Sequence, residues 1–220
     1  MRSDRRGPGG WGWSDLSGAV PDSDDTPAAI LALEHIKASL DGDRKQSCEE
    51  AIAAGQAWLL KLQNRDGGWP TFCRGWGKLP FDRSSNDLTA HALRALVVNR
   101  ISGIEARSPR HIALGARFLE KNQEPDGSWF PLWFGNQDRE DESNPVYGTS
   151  RVLLAANSDS LGPEVLQRGC QYLVNNQNSD GGWGGGGSVA SWLKKNQFHD
   201  FEFVSSVEET ALAVEALVTV

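Results

Sequence analysis

No stretch of this sequence approaches the roughly 18 consecutive apolar residues of a membrane-spanning helix. The basic start, MRSDRRGPGG, is not followed by the apolar segment of a secretory signal. The chain therefore reads as neither transmembrane nor carrying a visible leader. Cysteine is scarce: Cys48, Cys73 and Cys170 are odd in number and far apart, with no C-x-x-C pair or nearby histidine ligand set. That argues against zinc and for free thiols in a reducing compartment. Basic charge is short as well. Lys and Arg total 22 against 29 for Asp and Glu, and the resulting net charge of -7 excludes a phosphate backbone as the natural partner. What the chain does have is nine tryptophans and 24 glycines in 220 residues, enough length for one sizeable domain or part of a larger one.

The tryptophans are ordered. Three segments align: GQAWLLKLQNRDGGW ending at Trp69, GARFLEKNQEPDGSW ending at Trp129, and GCQYLVNNQNSDGGW ending at Trp183. Each runs Gly, an aromatic-Leu pair, Gln, then Asp-Gly-Gly/Ser-Trp. The last residues are 60 and 54 positions apart, and a partial copy, Gly9-Gly10-Trp11, lies 58 positions before Trp69 without the helical segment that should precede it. Interleaved is a second family: DDTPAAILAL, NDLTAHALRAL, YGTSRVLLAA and VEETALAVEAL, whose threonines Thr26, Thr89, Thr149 and Thr210 are spaced 63, 60 and 61. Apolar residues follow each threonine at helical spacing, and acidic or hydroxyl residues before it suit a helix N-terminus.

Each unit thus reads as a helix ending in the Gln-to-Trp motif, a Gly-rich turn, and a second helix opening near the threonine. Asp-Gly-Gly is expected to supply the positive φ that stops the first helix, and the Gln side chain to bond backbone groups at the turn while packing on the Trp. Helix pairs of this kind stack in two concentric layers, so the expected fold is all-α, an α/α toroid of about sixty-residue repeats. Seven helices are visible where a closed double ring needs about a dozen.

These motifs resemble the QW repeats of the squalene-hopene and oxidosqualene cyclase superfamily, over nearly the whole chain. Asp22-Ser23-Asp24-Asp25-Thr26 resembles its D-x-D-D-T protonation motif. Ser85-Asn86-Asp87-Leu88-Thr89-Ala90-His91 resembles its acidic-Asp-Val-Thr-Ala-His segment. Asp126-Gly127-Ser128-Trp129-Phe130 with Tyr147-Gly148-Thr149 resembles its D-G-S-W-F and Y-G-T pair. The resemblance implies a class II, protonation-initiated cyclase of a linear isoprenoid, squalene giving a hopene-type triterpene, with no cofactor or metal. It implies Asp24 as proton donor, Asp22 and Asp25 as its partners, His91 as its hydrogen-bond partner, and Trp13, Trp133 and Tyr147 as cavity aromatics. Residues 1–220 would be the acid-bearing C-terminal-like domain, cut at both ends, of a cytoplasmic protein whose full-length form touches the inner membrane face and could pair as a homodimer. The segment between Trp133 and Tyr147 is longer and more charged than expected of hopene-forming enzymes, and Pro70 to Gly77 also departs from them.

The residue types fit that chemistry. Protonating an alkene requires a carboxylic acid held neutral, and three carboxylates in four residues next to an apolar cavity raise at least one pKa. A histidine bonded to the acid stabilises the carboxylate once the proton has left. Aromatic faces then stabilise the migrating cation, and closure excludes water. Other readings stay open. An Asp-Ser-Asp-Asp cluster before Thr-Pro is also a helix cap, His91 on an Ala/Leu helix is also a core histidine, and Trp133 and Tyr147 are also packing residues. A prenyltransferase-like toroid and a non-catalytic binding toroid share the repeat; the first needs an Asp-x-Cys zinc site that is absent from the sequence.

Overall fold

The computed structural model of the chain describes residues 9–16, 19–98, 108–155, 161–186 and 205–220. These form seven helices: α1 (Asp25–Lys37), α2 (Gly42–Leu62), α3 (Asn86–Val97), α4 (Ser108–Lys121), α5 (Pro145–Leu153), α6 (Pro163–Asn175) and α7 (Val207–Thr219). Among the described residues, β structure is limited to two isolated bridges, Trp69 with Ser85 and Trp183 with Ser206. Any helix preceding Gly9-Gly10-Trp11 lies outside the described residues. The chain divides into two compact units, Met1–Leu119 and Glu120–Val220.

Two helix types alternate, for reasons visible in their residues. α2 buries Cys48, Ile52, Gly55, Gln56, Leu59 and Leu62, one stripe at three- and four-residue spacing. α3 buries nine of its twelve residues, among them Asp87, Thr89 and His91, and only Arg151 of α5 is not buried. A helix apolar on one stripe covers a core, and a helix buried nearly all round lies inside one. In the second unit Val146, Leu153, Leu154, Tyr172, Leu173, Trp183, Ala213 and Ala216 form one cluster.

The repeated residues bond in the same way each time. Backbone N–H of Trp11, Trp69, Trp129 and Trp183 donates to the hydroxyl of Thr26, Thr89, Thr149 and Thr210 at 2.9–3.0 Å. This joins the two sequence families into one structural unit and fixes the register of the second helix. The indole N–H of Trp69 donates to Leu59 O and that of Trp183 to Leu173 O, ten residues back in both cases. Gln63, Gln123 and Gln177 donate to the carbonyl four residues on, at Gly67, Gly127 and Gly181. Gln63 also reaches His111 O, and Gln123 reaches Val165 O, in the first turn of the next α4- or α6-type helix.

One expectation is corrected. The glycines do take positive φ, +98° at Gly67, +94° at Gly127 and +89° at Gly181, but they do not stop the helix. α2 ends at Leu62, with Gln63 already extended at φ -51°, ψ 129°. Gly67 instead turns the chain back four residues later, where an added Cβ would lie 2.4 Å from Leu114 O. The motif's other glycine has a different task. A Cβ at Gly55 would lie 2.4 Å from the Trp11 ring, one at Gly115 2.9 Å from that of Trp69, and one at Gly169 3.0 Å from that of Trp129. Each of these glycines seats the tryptophan of the preceding repeat.

Candidate functional site

The acid turn lies just before α1, and its three carboxylates have divided their tasks. Asp22 Oδ1 accepts the backbone N–H of Asp24 at 2.9 Å and of Asp25 at 2.7 Å, satisfying donors that a helix start leaves unpaired. Asp24 occupies the N-cap position, yet its carboxyl makes no capping bond. It faces α3 instead: His91 Nδ1 is 3.1 Å from Asp24 Oδ1, although the two residues are 67 apart in sequence. The imidazole is buried, whereas the Asp24 side chain is 37% exposed. One carboxylate caps the turn and the next faces the histidine.

Ser23 fastens this turn to the loop that follows Trp69. Its N–H donates to Thr71 O at 2.9 Å and its hydroxyl to Pro70 O at 2.6 Å, in a buried setting. Thr26 holds the other side through Trp11. Burial pushes the Asp22 carboxyl up to about 7; the neighbouring Asp25 adds to the rise, while the two backbone N–H donors oppose it. A carboxyl with that value exchanges protons near neutrality, two residues before the acid that faces the histidine.

A second acid lies on the helix that carries His91. Asp87 is buried one turn before it, on the same face of α3, and accepts a short hydrogen bond from the Ser85 hydroxyl. Asp87 was not singled out by the sequence reading as a site residue, but a signal was there. Counted from the repeat threonine, Asp87 occupies the position of Asp24: both lie two residues before it, as do Tyr147 and Glu208.

The structure places the remaining candidates less uniformly. Trp13, in the first unit, is 80% exposed. Trp133 and Tyr147 belong to the second unit. There Tyr147 is buried in the first turn of α5, where Asn144 caps the helix by accepting the Tyr147 N–H. Its ring stacks on Phe134 at a centroid distance of 4.8 Å, with the Arg151 guanidinium 5.8 Å from its centre. Phe134 had not been picked out, since nothing in the charged 134–146 segment marks it. Trp133 is half exposed.

The pair Asp24–His91 works in either protonation state. A neutral Asp24 donates O–H to Nδ1, and an ionised one accepts N–H from it. With Nδ1–H donated to Oδ1 and the acid proton on Oδ2, the arrangement can deliver a proton from a partly open carboxyl and stabilise the anion left behind. Among the described residues no group of three His, Cys, Asp or Glu could hold a metal ion, and no helix is long and apolar enough to cross a membrane.

Comparison with known proteins gives a consistent result. A family model described as the squalene-hopene cyclase C-terminal domain matches residues 1–220. A squalene–hopene cyclase of Bradyrhizobium diazoefficiens is 29% identical over 191 residues, covering 80% of this chain and 27% of the relative. The squalene–hopene cyclase of Zymomonas mobilis is 30% identical over 191 residues with the same coverage. Dammaradiene synthase of Dryopteris crassirhizoma is 30% identical over 192 residues, covering 74% of this chain and 26% of that protein. The chain thus spans about a quarter of the length of these curated relatives. Among solved structures, a type II terpene cyclase from Scytonema in complex with geranylgeranyl dihydroxybenzoate superimposes with a TM-score of 0.55 and 17% identity. That match covers 98% of this chain and 57% of the other, and places this chain in the α/α toroid fold class.

Proposed function

This chain belongs to the squalene-hopene cyclase C-terminal domain family, and from that premise we propose that it carries the acid of a class II terpene cyclase acting on squalene. Asp24 protonates a terminal alkene of the folded substrate and leaves a tertiary carbocation. The double bonds of the chain then close rings upon it, and loss of a proton or capture of water ends the reaction as a hopene-type triterpene. The observation that carries this reading is the 3.1 Å contact between Asp24 and His91.

The contact supplies what alkene protonation demands. His91 Nδ1–H stabilises the carboxylate as the proton departs, and Asp87, buried one turn before it on α3, is a candidate for positioning the imidazole. Asp22 holds the turn and Asp25 acts as a further partner. Each is a positioning or electrostatic role, and only Asp24 touches the substrate's reacting carbon. Tyr147, with Phe134 behind it, offers an aromatic face of the kind that stabilises cations; Trp133 and Trp13 belong to the same proposal as cavity aromatics.

The test is incubation of the protein with squalene in detergent and analysis of the products by gas chromatography and mass spectrometry. The wild type yields cyclic triterpene and Asp24→Asn yields none, with both folded by circular dichroism. Undiminished yield from Asp24→Asn defeats the acid assignment. Turnover of a prenylated aromatic or a prenyl diphosphate, with squalene left intact, defeats the substrate assignment and keeps the reaction class.

A further inference from the structure

The chain has two acid-acid-threonine sequences, Asp24-Asp25-Thr26 and Glu208-Glu209-Thr210, each with its threonine held by a repeat tryptophan. The first supplies the proton donor, and the second lies outside the chemistry described above. At the start of α7 the acids are arranged differently. Glu208 is exposed, while Glu209 is buried. Ser206 caps the helix by accepting the Glu209 N–H at 3.3 Å, so the Glu209 carboxyl is not needed for that bond. Its Oε1 instead accepts Nδ2–H of Asn144 at 2.9 Å, 65 residues earlier in the chain and buried as well.

A carboxylate taken out of water is costly unless a cation meets it, and among the described residues no Lys or Arg forms an ion pair with Glu209. A glutamine of the same shape would make the same bond to Asn144 without a charge. The difference lies in direction. An amide both donates and accepts, whereas an ionised carboxylate only accepts, so Glu209 admits Asn144 with its NH2 toward it and in no other way. The Asn144 amide oxygen is thereby left for the start of α5, where it accepts the Tyr147 N–H at 3.2 Å. A glutamine at 209 would let the Asn144 amide turn over, setting NH2 against the Tyr147 N–H and removing the cap.

The surroundings of this carboxyl tie it to the aromatic pair. Gly184, at φ +66°, passes so close that an added Cβ would lie 2.4 Å from Glu209 Oε2. The carbonyl of the next residue, Gly185, accepts Asn136 Nδ2–H at 2.9 Å, and Asn136 belongs to the segment that carries Phe134. The turn after Trp183, the start of α7 and the 134–144 segment thus meet at Glu209, and the stack of Phe134 on Tyr147 is built on the last of them. We propose that Glu209 is a positioning residue for the cyclisation: by fixing the amide of Asn144 it sets the first turn of α5, and with it the placement of the Tyr147 ring toward the migrating cation. The inference rests on the cyclase reading, which makes Tyr147 an aromatic of the site. Ring placement selects among products, since a cation held less closely loses its proton before the later rings close.

Two measurements on the whole chain test it. Hydrogen exchange followed by NMR reads the Tyr147 N–H, which exchanges about fivefold faster in Glu209→Gln than in wild type. Incubation with squalene reads the products: Glu209→Gln raises the share of partly cyclised triterpene and lowers kcat about tenfold, less than the roughly hundredfold cost of a misplacement of about 1 Å, while KM is unchanged. Glu209→Gln combined with Asn144→Asp reverses the bond, since the carboxylate now at 144 accepts from the amide at 209 and still caps α5; exchange and product ratio both return toward wild type. The combination also serves where Glu209→Gln alone fails to fold. Unmoved exchange in Glu209→Gln overturns the proposal, as does faster exchange with unchanged kcat and product ratio, which marks a merely structural clamp. A double variant that behaves like Glu209→Gln overturns it too, because the direction of the bond then has no bearing. A wild type that forms no cyclic triterpene defeats the cyclase reading and takes this role with it, and the exchange result tells that failure apart from a failure of the clamp.

Discussion

Asp22 makes a pH-dependent contribution to folding that can be separated from its capping bonds. Its carboxyl sits near 7 in the fold against 3.8 for a free side chain, chiefly through burial. A raised folded value means that the native state holds the proton more tightly than the unfolded one. The stability this brings is complete below about pH 4 and is lost as pH rises through about 7. The difference corresponds to at most about 4 kcal/mol, and to about half that once relaxation and water penetration around the ion are included. Asp22→Asn keeps an oxygen for the N–H groups of Asp24 and Asp25 but cannot ionise. Urea unfolding followed by far-ultraviolet circular dichroism at pH 5 and pH 8 separates the two effects. Wild type loses about 1 kcal/mol more than Asp22→Asn between those values, every other titrating group cancelling in the comparison. Asp22→Ala, which deletes the cap, is destabilised by about 1–2 kcal/mol at both pH values relative to Asp22→Asn. Parallel pH dependence in wild type and Asp22→Asn would refute the assignment of a raised carboxyl to this residue.

Three further outcomes are expected. Thr89→Val leaves the buried Trp69 N–H without its acceptor and costs about 1–3 kcal/mol, while Thr89→Ser keeps the hydroxyl and most of the stability; urea midpoints decide between them. Gly115→Ala gains about 1 kcal/mol of helix propensity but pushes a methyl against the Trp69 ring and Leu93, an overpacking of about 1–3 kcal/mol that wins, so the thermal midpoint falls. If Asp87 positions His91, Asp87→Asn lowers turnover by about a hundredfold and shifts the His91 imidazole titration seen by proton NMR, while circular dichroism is unchanged; an unmoved titration removes Asp87 from the proposal.

Much of the scaffold was legible because the repeat states it several times. Helices opening near Thr26, Thr89, Thr149 and Thr210, and others closing near Gln63, Gln123 and Gln177, follow from local spacing, and the structure has them. What stayed hidden involves contacts between repeats. Nothing local to Gly55 says that it seats Trp11, 44 residues earlier, and nothing in Asp-Gly-Gly says that α2 has already ended at Leu62, five residues before Gly67. The acid turn was hidden for another reason. Three carboxylates in four residues cannot be ranked by composition, and only the backbone path reveals that Asp22 caps while Asp24 does not.

The threonine lock explains how one scaffold can hold unlike chemistry. Because each Thr hydroxyl is bonded to a Trp N–H, the start of each second helix is held in the same register whatever residue precedes it. The position two residues before the threonine is therefore placed by the repeat and left free in kind: Asp24, Asp87, Tyr147 and Glu208 occupy it in turn. A buried hydroxyl–amide bond does not depend on the charge of its neighbour, so an acid can be exchanged for a phenol there without disturbing the turn. At Asp24 the freedom is extended by Asp22, which takes over the capping bond that an N-cap aspartate ordinarily makes. The carboxyl facing His91 thus takes no part in capping the helix it begins.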